Sequence, residues 1–214
     1  MISNKYLLAA GFIVCFAFTS RAQYVEKEPE QKVTTLYPQM KFDSVQARSA
    51  LARGTGTIKG VAFTKPKTGF GYKAPLAGRI YANKMKVILY PVTPYFEEWY
   101  KLRKDKENYK SKDYKKRVYV YLSDAAYRFR LEAITNSQGE FTFPDMKPGK
   151  YFLTGNLSWD ATGTYDQYTG SGYNNYGGTT DYYDRKSYTV NHQDRIEAFV
   201  EVKTDGEIVE MKLK

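Results

Sequence analysis

The side chains best suited to ligand contact are aromatic and lie close together in the last third of the chain. Between Gly163 and Asp184 the sequence holds six tyrosines and five glycines, with asparagines and threonines among them. Flat rings stack on the C–H faces of sugars, and tyrosine also offers protein partners a large contact area for little lost entropy. The residues that we predict to contact a ligand are Trp159, Tyr165, Tyr168, Tyr173, Tyr176 and Tyr182.

Three interpretations of this aromatic segment stay open. It could bind a glycan, it could bind another protein of the cell envelope, or its rings could simply pack on the domain's own surface. Because the segment is rich in glycine and polar residues, we expect residues 158–184 to form a long Gly/Tyr-rich loop.

Histidine and cysteine are almost absent, which excludes most catalytic chemistry. The chain has one histidine, His192, and one cysteine, Cys15. A zinc or iron site, a metal-bound water and most base-assisted nucleophiles need more of these residues than the chain has. We place His192 in a hairpin turn over residues 191–194. The sequence therefore predicts a protein that is not an enzyme, with no catalytic residue, metal site or cofactor.

Carboxylates are the remaining candidates for chemistry. Asp160, Asp166, Asp181 and Asp184 lie within the aromatic segment. A carboxylate pair can hydrolyse glycosides, and oxygen ligands suffice for calcium, so both remain minor alternatives. Nothing in the sequence fixes the separation of these aspartates, and their spacing matches no calcium loop, so we assign them no role.

A second segment, residues 101–117, is strongly basic. Nine of its residues are Lys or Arg and three are acidic, in a chain of formal net charge +10. Tyr100, Tyr109 and Tyr114 are interleaved with these cations. The segment could bind anionic envelope polymers, although a charge excess of this size mainly supports solubility. Nucleic acid is not an expected partner because the chain is expected to be exported.

The N-terminal residues predict that export. Lys5 precedes an apolar run, Tyr6 to Phe18, and a small residue follows at Ala22, after which we expect a signal peptide to be cleaved. The run is shorter than the roughly 20 residues that cross a bilayer, so no transmembrane segment is expected after cleavage. Bulky Val14 before Cys15 argues against a lipoprotein. We expect a secreted or periplasmic protein.

Short strands are expected to position the aromatic segment. Apolar and charged side chains alternate over residues 127–134 and 209–214, so each segment can bury one face and expose the other. Shorter runs of the same kind end at Gly, Pro, Asn or Asp. Seven to nine such strands predict an all-β, antiparallel sandwich that starts at Thr55. Residues 23–54 are expected to be a flexible arm with a helical turn near residues 44–51.

One helix is expected between two of these strands. Thr93 can cap it, and Pro94 suits its first position because that amide needs no partner. Tyr95, Trp99 and Leu102 then share one helix face. We predict a helix of about three turns within a basic insertion, residues 94–117, that packs Trp99 on the edge of the sandwich.

Four motifs within residues 55–157 resemble, in order, those of the carboxypeptidase regulatory-like domain. They are Thr57-Ile58-Lys59-Gly60-Val61-Ala62-Phe63, Val87-Ile88-Leu89-Tyr90-Pro91, Thr135-Asn136-Ser137-Gln138-Gly139-Glu140-Phe141-Thr142-Phe143 and Met146-Lys147-Pro148-Gly149-Lys150-Tyr151-Phe152-Leu153. The resemblance implies a prealbumin-like, carbohydrate-binding-like sandwich, here over residues 55–214, and an accessory role. Residues 94–126 and 158–214 depart from the family's pattern.

Folding alone explains the residues of these motifs. Residues 136–139 form a turn in which Gly139 is free to take a positive φ, and Phe141, Phe143 and Tyr151 should point into one core. We therefore expect a non-catalytic binding or structural accessory at the cell envelope. The alternative is a carbohydrate-binding module that uses the aromatic segment.

Overall fold

The protein is described by a computed structural model over residues 33–66 and 76–214. The expected leader, residues 1–22, and the first part of the expected N-terminal arm, residues 23–32, lie outside the described residues. The elements in chain order are β1 (Thr34–Leu36), α1 (Ser44–Ala50), β2 (Gly56–Thr64), β3 (Ile80–Tyr81), β4 (Lys86–Pro91), α2 (Pro94–Lys106), a 3-10 turn (Tyr114–Lys116), β5 (Val118–Val120), α3 (Asp124–Tyr127), β6 (Leu131–Ile134), β7 (Glu140–Met146), β8 (Gly149–Tyr173), β9 (Thr179–Val202) and β10 (Ile208–Leu213).

Two four-stranded sheets form a sandwich, which confirms the expected all-β class. One sheet has the order β10-β2-β3 with β7 also paired to β2, and the other has the order β6-β4-β8-β9. Pairing within the two sheets is antiparallel except between β10 and β2. The described residues hold ten strands, instead of the expected seven to nine, since short β1 and β5 form a separate parallel pair.

The core lies between the two sheets. Phe141, Phe143 and Tyr151 are all buried there, as the sequence predicted, in one cluster with Ile58 of β2 and Leu153 of β8. These side chains occupy alternate positions of their strands, so each strand turns one face inward. Burial of this apolar surface is the main stabilising contribution to the sandwich.

A third layer covers the outer face of the second sheet. Thr93 Oγ1 accepts a hydrogen bond from the Phe96 amide (3.3 Å), which caps α2 as predicted. Phe152 of β8 is fully buried under this layer, with Phe96 at 5.2 Å and Trp99 at 6.2 Å between ring centroids. Trp99 thus packs on the face of the sheet rather than on the sandwich edge. Its indole Nε1 donates to the Val120 carbonyl (3.2 Å).

Two expectations about element boundaries are wrong. Residues 127–134 are not one strand, because Ser123 caps α3 by accepting from the Ala126 amide (3.3 Å) and β6 begins only at Leu131. Regular structure also begins before Thr55. Helix α1 occupies the place of the expected helical turn, and Asp43 caps it by accepting from two backbone amides.

The turn between β6 and β7 agrees with the sequence prediction. The Asn136 amide donates to the Glu140 carbonyl, and the Asn136 side chain accepts from two amides of the turn. Gly139 has φ +76°, and a Cβ there would lie 2.4 Å from the Ala62 carbonyl oxygen. Glycine is therefore required by both the backbone conformation and the space.

The prediction of a long loop over residues 158–184 is wrong, because most of these residues belong to β8 and β9. These strands have 25 and 24 residues, and their paired register runs from Gly149 opposite Val202 to Tyr173 opposite Thr179. Strand β4 pairs with β8 only over residues 151–154. Threonine and tyrosine favour extended structure, which explains how the two strands continue.

Candidate functional site: a two-stranded aromatic arm

The outer part of the β8–β9 hairpin, residues 160–191, is called the arm below. None of its residues is buried, and every residue from Thr179 to Asn191 is exposed. From Ala161 to Tyr173 the arm is about 40 Å long at the usual rise per strand residue. It therefore presents two solvated faces and two strand edges.

A compact turn closes the arm at its tip. The Asn174 side-chain oxygen accepts hydrogen bonds from the amides of Tyr176 (3.1 Å) and Gly178 (2.7 Å). The Asn174 amide donates to the Gly178 carbonyl (2.9 Å), and Gly177 has φ +79°. Asparagine and glycine are the residues that such turns favour.

The strand register assigns each arm side chain to one of two faces. Residues directly opposite one another share a face, and successive residues alternate. The inner face continues the core side of the sandwich, and the outer face continues the side that α2 covers nearer the body. The inner face carries Ala161, Gly163, Tyr165, Gln167, Tyr182, Asp184, Lys186, Tyr188 and Val190. The outer face carries Asp160, Asp166, Tyr168, Ser171, Tyr173, Asp181, Tyr183 and Arg185, with Thr162, Thr164, Thr179 and Thr189.

Tyrosine rings on the inner face lie across glycines. A Cβ at Gly163 would stand 2.5 Å from a ring carbon of Tyr188, and one at Gly172 would stand 3.1 Å from a ring carbon of Tyr182. Glycine thus lets each ring approach the backbone closely. Tyr188 and Tyr182 remain 50% and 57% exposed, so each ring keeps a surface toward solvent. Tyr165 stands beside Tyr188, 6.2 Å between centroids.

The outer face is dominated by polar contacts among its own residues. Tyr168, Ser171 and Asp181 form a chain of hydrogen bonds across the two strands. Arg185 pairs with Asp166 at 3.1 Å. Because these side chains already bond one another, fewer polar groups on the outer face are left to bind a ligand than its composition suggests.

The six predicted ligand-binding residues do not form one surface. Tyr165 and Tyr182 lie on the inner face, Tyr168 and Tyr173 lie on the outer face, and Tyr176 is at the tip. Tyr188, which was not among the predicted contacts, lies on the inner face with Tyr165 and Tyr182, and the strand alternation after Asp181 is the sequence signal for this placement.

Trp159 belongs to the body, at the base of the arm. It is 8% exposed, and its indole Nε1 donates to Asp194 Oδ2 (3.1 Å). His192, expected in a turn, lies within β9 directly opposite Trp159, and their rings stack at 4.4 Å. Both positions follow from the continuous hairpin.

The four candidate aspartates do not converge. Asp160, Asp166 and Asp181 lie on the outer face with different partners, and Asp184 lies on the inner face 3.6 Å from Lys186. Within the described residues no three histidine, cysteine or carboxylate side chains come together as a metal-binding group.

Several cations of the basic segment contact the protein itself. Arg103 is buried, pairs with Glu197 and lies 4.6 Å over the Trp99 ring. Arg117 lies 3.8 Å over Tyr114 and donates to a backbone carbonyl. Helix α2 has 13 residues and ends at Lys106, which agrees with the expected helix of about three turns within the insertion.

A cleft of about 480 Å³ lies between α2 and the second sheet. Tyr100 and Phe199 meet edge to face there, with centroids 4.8 Å apart. Four charged side chains surround them, Glu97, Lys101, Lys150 and Glu201. The size is that of a small-molecule pocket, but its opposing charges favour no single class of ligand.

The comparisons with known proteins give no family. No protein-family model matches the chain, and no curated protein matches it. A solved structure of similar architecture is that of a candidate carbohydrate binding protein from Pseudomonas aeruginosa, with a TM-score of 0.48 and 17% identity. The match covers 81% of this chain and 98% of that chain. At this TM-score the likeness carries no functional argument.

Helices α1, α2 and α3 have 7, 13 and 4 residues. None of those within residues 33–66 and 76–214 is both long enough and apolar enough to cross a bilayer.

Proposed function

We propose that the protein is a non-catalytic binding accessory of the cell envelope, exported by the signal in residues 1–22, whose arm binds glycans along its inner face. The observation that carries this proposal is the pair of tyrosine rings, Tyr182 and Tyr188, held against glycines on one face. The resemblance of residues 55–157 to the carboxypeptidase regulatory-like domain agrees with an accessory role.

The geometry of the two rings favours an extended polymer over a single sugar. Tyr182 and Tyr188 are six residues apart on β9, a distance of about 20 Å along the strand. One small sugar cannot contact both rings, whereas a linear chain of sugars can. The ring surfaces are already positioned by the backbone, so little side-chain entropy is lost on binding.

Polar groups between the rings complete the surface. Gln167, Asp184 and Lys186 lie on the inner face between the positions of Tyr188 and Tyr182. Amide, carboxylate and ammonium groups can hydrogen-bond sugar hydroxyls in defined directions. The inner face therefore combines apolar stacking surfaces with directional polar groups, as ligand sites generally do.

The binding of anionic polymers through the basic segment has less support. Arg103 and Arg117 are engaged within the protein, so the cations that could contact a polymer are fewer than the sequence count suggests.

Affinity electrophoresis tests the glycan proposal. The full chain is run through native gels that contain xylan, mixed-linkage β-glucan, pullulan or chondroitin sulfate, and its retardation is compared with a polysaccharide-free gel. We expect at least one polymer to retard the protein. The variant Tyr182→Ala/Tyr188→Ala should lose the retardation, while Tyr168→Ala/Tyr183→Ala, which removes two outer-face rings, should keep it.

Two results would contradict the proposal. One is the absence of retardation by every polymer, and the other is equal retardation of the inner-face variant and the parent protein. Thermal unfolding of both variants checks that the body is unchanged, which we expect because all four rings are solvated.

A further inference from the structure

Besides its exposed tyrosines, the arm has a long free strand edge, which belongs to β9. Strand β9 ends the order of its sheet, so in the arm one of its edges pairs with β8 and the other faces solvent. An exposed edge offers unpaired amide and carbonyl groups to another strand, and proteins usually block it with proline, charged side chains, a bulge or a short strand. The charged residues of β9 at this edge, Asp184, Arg185 and Lys186, include both signs, so they can pair with a second copy in a suitable register. Strand β9 has 24 residues, contains no proline, and has its register irregularity on the β8 side, next to Thr169.

We propose that this edge pairs with the same edge of a second copy of the chain, antiparallel about a two-fold axis at Arg185. The fully exposed stretch of β9 runs from Thr179 to Asn191, and Arg185 is its midpoint. A two-fold axis at the midpoint pairs the whole stretch with itself, which gives the largest number of backbone hydrogen bonds between the copies.

The charges of β9 fit this register. Asp184 of each copy lies opposite Lys186 of the other, so the interface gains two opposite-charge pairs on the inner face. An axis at Asp184 would place two aspartates opposite each other, an axis at Lys186 would place two lysines opposite each other, and neither axis forms an opposite-charge pair. The two Arg185 side chains meet on the outer face, where Asp166 of each chain already holds its own arginine at 3.1 Å.

The aromatic residues of β9 also fit the register with its axis at Arg185. Tyr182 lies opposite Tyr188 of the second copy, and the reverse pair forms on the other side of the axis. Aromatic cross-strand pairs stabilise sheets, and both pairs lie on the inner face. The result is a four-stranded arm whose inner face carries tyrosines from both copies. This inference does not depend on whether that face binds glycans.

One competing register is centred on Tyr183. It places Asp181 opposite Arg185 of the other copy, but it pairs only residues 179–187, since β9 begins at Thr179. Fewer backbone hydrogen bonds form, and Asp181 is already bonded to Ser171 within its own chain. The axis at Arg185 is therefore favoured.

Sedimentation velocity over a concentration series tests the self-association. The parent chain should dimerise, and Asp184→Lys or Lys186→Asp alone should weaken the dimer about tenfold or more, because each creates two like-charge pairs. An equal mixture of the two variants should recover the parent affinity, since opposite charges then meet again. Asp205→Lys, the same charge change in an exposed turn outside the arm, should leave dimerisation unchanged.

Cross-linking reports the position of the axis. Arg185→Cys places two thiols opposite one another, within the Cα separation that disulfides require, and should give a disulfide-linked dimer on oxidation. Tyr183→Cys should give no disulfide-linked dimer. The parent chain, treated in the same way, shows how much cross-linking comes from Cys15. A monomeric parent chain, failure of the mixture to recover, or stronger cross-linking at position 183 would overturn the proposal. If the parent chain is a monomer but binds polysaccharide, only the dimer proposal is overturned. If it is a dimer but binds no polysaccharide, only the glycan proposal is overturned.

Discussion

Strands β8 and β9 run through both the body and the arm, yet the two regions differ in nearly every physical respect. Within the body, Leu153 and Leu157 of β8 are buried against the opposing sheet. Farther along the same strand face, Tyr165 and its neighbours are exposed. The alternation of side chains continues, but the opposing sheet, which has the order β10-β2-β3 with β7, does not extend over the arm. The arm therefore contributes little to stability and makes large rings available to a partner.

A small polar cluster marks the border between the two regions. Asp194 Oδ2 accepts hydrogen bonds from Trp159 Nε1 (3.1 Å) and Thr64 Oγ1 (2.9 Å). Asp194 and Thr64 are both buried. The cluster therefore lies at the end of the core, where the hairpin leaves the body.

The largest expected effect is on the stability of the body. Phe152→Ala removes a fully buried ring that α2 and β9 surround, and should lower the free energy of unfolding by about 3–5 kcal/mol. Tyr168→Ala in the arm should change it by less than about 0.5 kcal/mol. Urea unfolding followed by tryptophan fluorescence measures both. Equal losses would show that the arm is part of the cooperative unit.

A second test concerns the contact between α2 and β9. Arg103→Met removes the closer of the two cations beside Glu197 and leaves Arg195, 3.8 Å from the other carboxylate oxygen, so it should cost about 2 kcal/mol of unfolding free energy. The double variant Arg103→Met/Glu197→Gln should lose less unfolding free energy than the single variant, because no carboxylate is then left without its closer cation. The same urea titration gives the comparison. If the double variant were as unstable as the single one, the guanidinium would act mainly by packing on Trp99.

A smaller effect is expected from a single phenol. Tyr151 is buried and its hydroxyl lies 2.8 Å from the Lys147 carbonyl and 3.1 Å from the Ala50 carbonyl. Removing this donor in Tyr151→Phe should cost about 1 kcal/mol. Burial raises the pKa of Tyr151 above its usual value, so the unfolded chain ionises first. The stability from this phenol is therefore present below about pH 10 and lost above it.

The pH profile of Tyr151→Phe gives the control. Its unfolding free energy should fall less steeply than that of the parent chain as the pH rises through about 10, because one raised pKa has been removed. Parallel profiles would show that the Tyr151 ionisation is not linked to unfolding.

Local signals in the sequence were enough to predict much of the body. The cap at Thr93, the glycine turn at Gly139 and the alternation around Phe141 each specify their own structure within a few residues. The sandwich class follows from the number of such strands. These predictions succeeded because the contacts that decide them lie close together in the chain.

The arm could not be predicted in the same way. Its composition resembles a loop, and only the register between residues far apart in the chain shows which tyrosines share a face. Trp159 was expected to be a ligand contact, but Asp194 and His192, more than 30 residues later, hold it in the body. The turn residues Asn174 and Gly177 were the one local signal of a hairpin.

Shortening the arm tests the central claim that recognition lies there and stability lies in the body. Gly163 and Tyr188 are opposite one another, so residues 164–187 can be replaced by an Asn-Gly turn that suits a two-residue hairpin. The shortened protein should unfold with a free energy within about 0.5 kcal/mol of the parent and should no longer be retarded by the polysaccharide that retards the parent. Undiminished retardation of a folded, shortened protein would contradict the account.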